Sequence, residues 1–258
     1  RCSHSHVSPI NMTGAIEQSC NPYFWQTFRS VIDKPEYANP EEGFESWREY
    51  ALSFGFGNRF GTDLFNELTG NIPTSAYYDK YFGSGGWRAM TIRSLAIGQG
   101  EILVTPLQLA NYTATIANRG KYIKPHIIKE IYNEELPEFT KIKYSTKVDS
   151  SYFEPVIEGM YNVYFGEHGT ARWYRNDSIP MCGKTGTVQN PHGDDHSLFI
   201  AFAPKDNPQI AIAVVVENSG FGSTWAVPIA TLMLEKYLQG EISRKWVEER
   251  MVNGNLIK

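Results

Sequence analysis

The run Cys182-Gly183-Lys184-Thr185-Gly186-Thr187-Val188 gathers an ammonium, two hydroxyls and a glycine into a few residues. That set suits the binding of a carboxylate. Lys184 supplies positive charge, and the hydroxyls of Thr185 and Thr187 can donate hydrogen bonds to carboxylate oxygens. Gly186 lets a ligand backbone lie flat against a strand. Alone, the tetrad also fits an ordinary turn at a strand edge. Near the other end of the chain, Ser19-Cys20-Asn21 offers a hydroxyl and an amide close together. Ser and Asn are equally common as helix caps and turn residues.

These residues need elements to hold them. Residues 181–188, 196–203 and 209–217 read as antiparallel strands, and 224–239 as a C-terminal helix packing on them. Ile16, Phe24, Phe28 and Val31 recur at helical spacing, so Thr13 to about Val31 reads as a helix. Pro22 falls inside that pattern and predicts a break near Ser19 and Asn21, where a loop could aim both into a cleft. Residues 33–46 read as a polar loop, 43–54 as a second helix and 70–88 as a long Gly-rich loop. Thr105-Pro106 starts a helix, Thr as cap and Pro at the first position, running to about Arg119. Residues 121–147 read as a short strand region with a polar connection. Ser151 to about Phe165 reads as a helix. Together these give an α/β fold with an antiparallel sheet late in the chain and helices flanking it. Residues 1–240 form the folded part, and 241–258 a charged tail that extends as helix or frays.

Other polar groups carry less. Asp194 and Asp195 could be paired acids, but read better as the solvated turn of a hairpin, with His196 structural at the strand start. Glu101, Glu158 and Glu217 match no catalytic pattern. Cys182 reads as a small buried side chain. Cys2-Ser3-His4-Ser5-His6 is dense in soft ligands, and thiolate with imidazole suits a tetrahedral zinc. A Cys2–Cys20 disulfide and a frayed terminus are the competing readings.

The chain has 258 residues, enough for a sizeable core as one α/β domain or one domain with an insertion. Its 41% hydrophobic and 14% aromatic content are those of a globular protein. A net charge of −4 argues against a nucleic-acid surface. No apolar run approaches the roughly 20 residues that span a bilayer, and no signal peptide is visible.

Two further segments give the motifs a context. Ala96-Ile97-Gly98-Gln99-Gly100 is followed by Val104-Thr105-Pro106-Leu107-Gln108-Leu109-Ala110. Glu158-Gly159-Met160-Tyr161-Asn162-Val163 and Gly169-Thr170-Ala171 precede the Lys-Thr-Gly. In this order, with Ser-x-Asn and Lys-Thr-Gly, they resemble the transpeptidase domain of class B penicillin-binding proteins, most closely the D,D-transpeptidases of cell elongation. The likeness runs roughly from Thr13 to Leu238. It implies a β-lactamase/transpeptidase-like fold and a peptidoglycan D,D-transpeptidase acting through an acyl-enzyme, with peptidoglycan stem peptides as substrate and β-lactams as inhibitors. Ser19 would relay protons, Asn21 would orient the substrate amide, and Lys184 would raise the local positive potential. Thr185, Gly186 and Thr187 would bind the substrate. The resemblance also implies other cell-wall synthesis proteins as partners, no nucleic acid, and a parent protein anchored in the inner membrane and facing the periplasm. No cofactor is required for such chemistry. Some elongation enzymes are similar in carrying a structural zinc beside the second motif. On that likeness Cys20 and His6 would be ligands, with Cys2 or His4 completing the site.

One departure matters. The superfamily nucleophile lies in Ser-x-x-Lys, and no serine of this chain has Lys three residues later. Ser30 and Lys34 are four apart and lie after Ser19. The expectation is therefore a C-terminal part of the domain, with the nucleophile upstream and the chain alone inactive. The alternative is a non-catalytic penicillin-recognising sensor or scaffold module. A β-lactamase fits less well, since no deacylating-glutamate motif is evident.

Overall fold

The computed structural model describes Ser8 and residues 10–255. In chain order the helices are α1 (Met12–Glu17), α2 (Asn21–Ile32), α3 (Pro40–Ser53), α4 (Ser75–Phe82), α5 (Pro106–Ala117), α6 (Phe153–Phe165), α7 (Ala226–Gln239) and α8 (Lys245–Val252). The strands are β1 (Lys121–Ile123), β2 (Lys143–Ser145), β3 (Cys182–Val188), β4 (His196–Ala203) and β5 (Ile210–Val216). The chain divides into two compact units. The first holds Cys20–Tyr112 and Gly120–Asp149; the second holds the described residues up to Ser19, Thr113–Arg119 and the described residues from Ser150 onward.

The first unit is mainly helical. α2 begins at Asn21 with Pro22 in its first turn, where a missing N–H costs no hydrogen bond. α3 starts at Pro40, inside the stretch expected as loop. The Asn39 side chain accepts from Glu42 N at 2.8 Å, and the Glu42 carboxylate accepts from Ala38 N at 2.8 Å. This reciprocal cap outweighs the polar, Pro-rich composition. The expected long loop at 70–88 contains α4, capped by the Thr74 hydroxyl accepting from Tyr77 N and ended by Gly83 at φ +79°. α5 starts as expected: Thr105 Oγ1 accepts from Gln108 N at 3.1 Å, and Gln108 Oε1 accepts from Thr105 N at 3.0 Å. An aromatic core holds α2, α3 and α4. Phe44 is fully buried and meets Trp47, Tyr78 and Trp87 at ring-centroid distances of 5.5–5.6 Å. Phe28, Ile32, Ile92 and Leu95 close around them. β1 and β2 pair antiparallel, with Tyr122 stacked on Tyr144.

The second unit contains the antiparallel sheet, in the order β3-β4-β5. Phe199 through Ala203 of β4 are all buried, which is why this strand reads as a continuous apolar run. α6 packs against β3, and α7 against β4 and β5. Tyr164 of α6 ties these together: its ring meets Phe199 edge-on at 5.7 Å, and its hydroxyl is 2.9 Å from Thr231 Oγ1 of α7. Beyond Gly240, α8 forms within the segment expected as tail. Glu235, fully buried on α7, accepts from Ser243 N at 2.7 Å and from both Arg244 Nε and Nη2, at 3.1 and 2.9 Å.

Candidate active site

α1 carries Ser19 on its C-terminal side and is held firmly from its other end. Asn11 caps it by accepting from Gly14 N at 2.9 Å, and its Ile16 packs against α6. The helix ends at Glu17, and Ser19 takes φ +53°, a left-handed backbone uncommon for a residue with a side chain. The single helix expected from Thr13 to Val31 is thus two helices, broken where Pro22 implied. That turn aims the Ser19 hydroxyl at the Lys-Thr-Gly strand.

Among the described residues, β3 lies at one edge of the sheet. Lys184 Nζ donates to Ser19 Oγ at 2.7 Å, across 165 residues of sequence. It also donates to Thr185 O at 2.8 Å, and Thr185 Oγ1 lies 3.5 Å away. Desolvation lowers the Lys184 pKa to about 8. An amine with that pKa changes charge close to neutral pH, and a hydroxyl in contact with it can pass a proton onward.

Thr187 is held by the loop that follows β5. Its Oγ1 accepts from Gly222 N at 3.3 Å. The loop lies so close to β3 that a Cβ on Gly222 would sit 2.3 Å from Gly186 O, so only glycine fits. Ser197 of β4, opposite Thr187 in the register, fixes the same loop. Its buried hydroxyl contacts Phe221 O and Gly222 O at 3.0 and 3.2 Å and accepts from Ala226 N at 3.0 Å. Sequence reasoning passed over Ser197. The signal was a lone hydroxyl in an apolar strand.

The structure thus brings Ser19, Lys184 and Thr185 together, with Gly186 and Thr187 following on the same strand. Asn21 belongs to the first unit as the opening residue of α2. Cys20 is buried and precedes α2 as its N-cap residue. Cys2, His4 and His6, the other expected zinc ligands, lie outside the described residues, as does the Cys2 end of the alternative disulfide. Among the described residues no three His, Cys, Asp or Glu side chains gather to hold a metal. Asp195 belongs to the hairpin turn: its carboxylate accepts from Asn190 N at 3.2 Å, and its carbonyl accepts from Ser219 N and Gly220 N. His196 Nδ1 accepts from Asn218 N at 3.0 Å. Glu101 accepts from the Tyr78 hydroxyl at 2.9 Å, and Glu158 pairs with Lys205 at 2.6 Å. Cys182 is fully buried, and burial pushes its thiol up to about 12.

Comparison with known proteins gives one consistent picture. The chain is 30% identical over 247 residues to the peptidoglycan D,D-transpeptidase MrdA of Haemophilus influenzae, covering 88% of this chain and 36% of that protein. It therefore spans about a third of the length of this curated relative. Among solved structures, Pseudomonas aeruginosa PBP2 in complex with WCK 5153 matches with a TM-score of 0.74 and 31% identity, over 92% of this chain and 50% of that one. Helicobacter pylori PBP2 in complex with MreC matches with a TM-score of 0.71 and 29% identity, over 90% of this chain and 40% of that one. The antiparallel sheet with its packed helices is the transpeptidase/β-lactamase-like fold of these proteins. Residues 3–235 match the family described as "Penicillin binding protein transpeptidase domain", and the chain belongs to that family.

Proposed function

We propose that this chain supplies the carboxylate-binding and proton-relay half of a peptidoglycan D,D-transpeptidase. The observation that carries the reading is the 2.7 Å hydrogen bond from Lys184 Nζ to Ser19 Oγ, which joins the two motifs. A serine in a Ser-x-x-Lys motif outside these 258 residues gives its proton to the lysine of that motif and attacks the D-Ala-D-Ala carbonyl of a stem peptide. The tetrahedral oxyanion is held by backbone N–H groups, one of them from Thr187. Ser19, with Lys184 behind it, passes a proton to the leaving D-alanine nitrogen as the peptide bond breaks. Asn21 orients the substrate amide. Thr185 and Thr187 donate to the terminal carboxylate, Lys184 adds positive potential, and Gly186 gives the peptide room on the strand. The acyl group then passes to an amine on a neighbouring stem, which breaks the serine ester and restores the hydroxyl. β-Lactams acylate the same serine.

The resemblance to the D,D-transpeptidases of cell elongation is the ground for placing the parent protein in cell elongation and cell shape, at the periplasmic face of the inner membrane. No helix among the described residues is long and apolar enough to cross a membrane. The Helicobacter pylori complex supports a cell-wall assembly protein as partner.

Intact-mass analysis after incubation with benzylpenicillin tests the reading. It compares this chain with a longer form of the protein that includes a Ser-x-x-Lys. An adduct only on the longer form is the expected result. An adduct on the 258 residues alone would make one of their serines the nucleophile and overturn the relay role of Ser19. No adduct on either would favour a non-catalytic relative.

A further inference from the structure

Gly169-Thr170-Ala171 has no part in the mechanism above, yet its threonine reaches the Lys-Thr-Gly strand. Thr170 Oγ1 lies 3.0 Å from Thr185 Oγ1. The approach is braced on both sides. Ala171 N donates to Val163 O of α6 at 2.9 Å, and His168 N donates to the Glu17 carboxylate at 2.9 Å. Glu17 ends α1, the helix that leads to Ser19. The brace that seats Thr170 against Thr185 is therefore tied to the same helix that aims Ser19 at Lys184.

The direction of the hydroxyl bond decides what Thr185 can do. Each hydroxyl carries one proton. If Thr185 donates to Thr170, its proton is spent and cannot reach a ligand. If Thr170 donates to Thr185, the Thr185 O–H is released, and accepting a bond makes it a stronger donor. While protonated, Lys184 only donates, so it supplies no competing acceptor for the Thr185 proton. A carboxylate accepts only, so its arrival favours the second arrangement.

We propose that Thr170 is a positioning residue: its hydroxyl donates to Thr185 Oγ1 and turns the Thr185 O–H toward the carboxylate of the stem peptide or β-lactam. This rests on the transpeptidase reading. The test is the second-order rate of acylation by a fluorescent penicillin, measured on the full-length protein. Thr170→Val lowers that rate by up to roughly tenfold, the size of the neutral hydroxyl–hydroxyl bond that is lost. Thr170→Ser restores most of it. In a Thr185→Val background the group that Thr170 acts through is gone, and Thr170→Val causes little further loss. The proposal is overturned if Thr170→Val reacts at the wild-type rate. It is also overturned if the Thr170→Val loss is the same in the Thr185→Val background, or if Thr170→Ser is as slow as Thr170→Val. Thr170→Ala carries the same comparison should the valine variant fail to fold. A wild-type protein that takes no penicillin overturns the transpeptidase reading itself, an outcome distinct from all of these.

Discussion

Gly159 of α6 faces Ile16 of α1 so closely that a Cβ at position 159 would stand 2.8 Å from the Ile16 Cβ. Nothing flexible can yield there, since the opposing atom is the branch point of a buried side chain. A methyl at this position therefore pushes α1 outward and carries the Ser19 turn away from Lys184. Gly159→Ala is expected to cost about 1–3 kcal/mol through overpacking and to slow penicillin acylation more than lost stability alone accounts for. Acylation rates measured well below the melting temperature separate the two effects. A variant that is destabilised yet reacts normally would show that α1 relaxes without moving Ser19.

Lys184, with its pKa near 8, makes two pH predictions of opposite sign. For binding, the ammonium attracts a carboxylate below pH 8 and loses its charge above it, so the second-order acylation rate should fall as pH rises through that value. For folding, an unfolded lysine titrates at about 10.4. Between pH 8 and that value the unfolded chain holds a proton that the folded chain has released, so this residue makes stability rise with pH across the window. Lys184→Met removes both effects. Denaturant melts at the two ends of the window, and an acylation pH profile, would check them. A Lys184→Met protein with an unaltered profile would refute the assignment.

The second unit was legible because its signals are local and mutually consistent. A buried strand such as β4 is an unbroken apolar run, and the hairpin joining β3 to β4 places Lys184 on an edge. The break before Asn21 was legible from Pro22. The first turn of α3 and all of α4 were obscured for the same physical reason. Each is short of apolar residues outside one face, and each is started by a cap, Asn39 or Thr74, rather than by periodicity. The Ser19–Lys184 contact could not be read from spacing, because it depends on α1 packing against α6 and on α6 packing against β3. Ser197 escaped notice, and Thr170 was read only as part of a matching segment, because a hydroxyl declares its role only when its partners are in place.

In the first unit, Phe44 should be the most costly core position to truncate. It is fully buried, stacks on Trp47 and meets Tyr78 and Trp87 edge to face, rigid rings that cannot collapse into the space left behind. Phe44→Ala is expected to lose about 3–5 kcal/mol, read as a lowered denaturation midpoint. Phe44→Leu keeps most of the volume and should lose clearly less. Equal losses for the two would mean that ring geometry rather than volume sets the cost.

Glu235 and Arg244 test how the C-terminal helix is held. The carboxylate is fully buried, and the guanidinium that meets it also donates to the Tyr174 carbonyl at 2.5 Å. Removing the cation alone leaves a charge in the interior with only Ser243 for company. Arg244→Met should therefore cost about 3–5 kcal/mol, whereas the pair Glu235→Leu with Arg244→Met should recover much of that loss, because no unpaired charge then remains buried. Denaturation midpoints of the two variants decide it. If the double variant is no more stable than the single one, the clasp works chiefly through the Tyr174 and Ser243 hydrogen bonds, and the unpaired carboxylate is not the source of the cost.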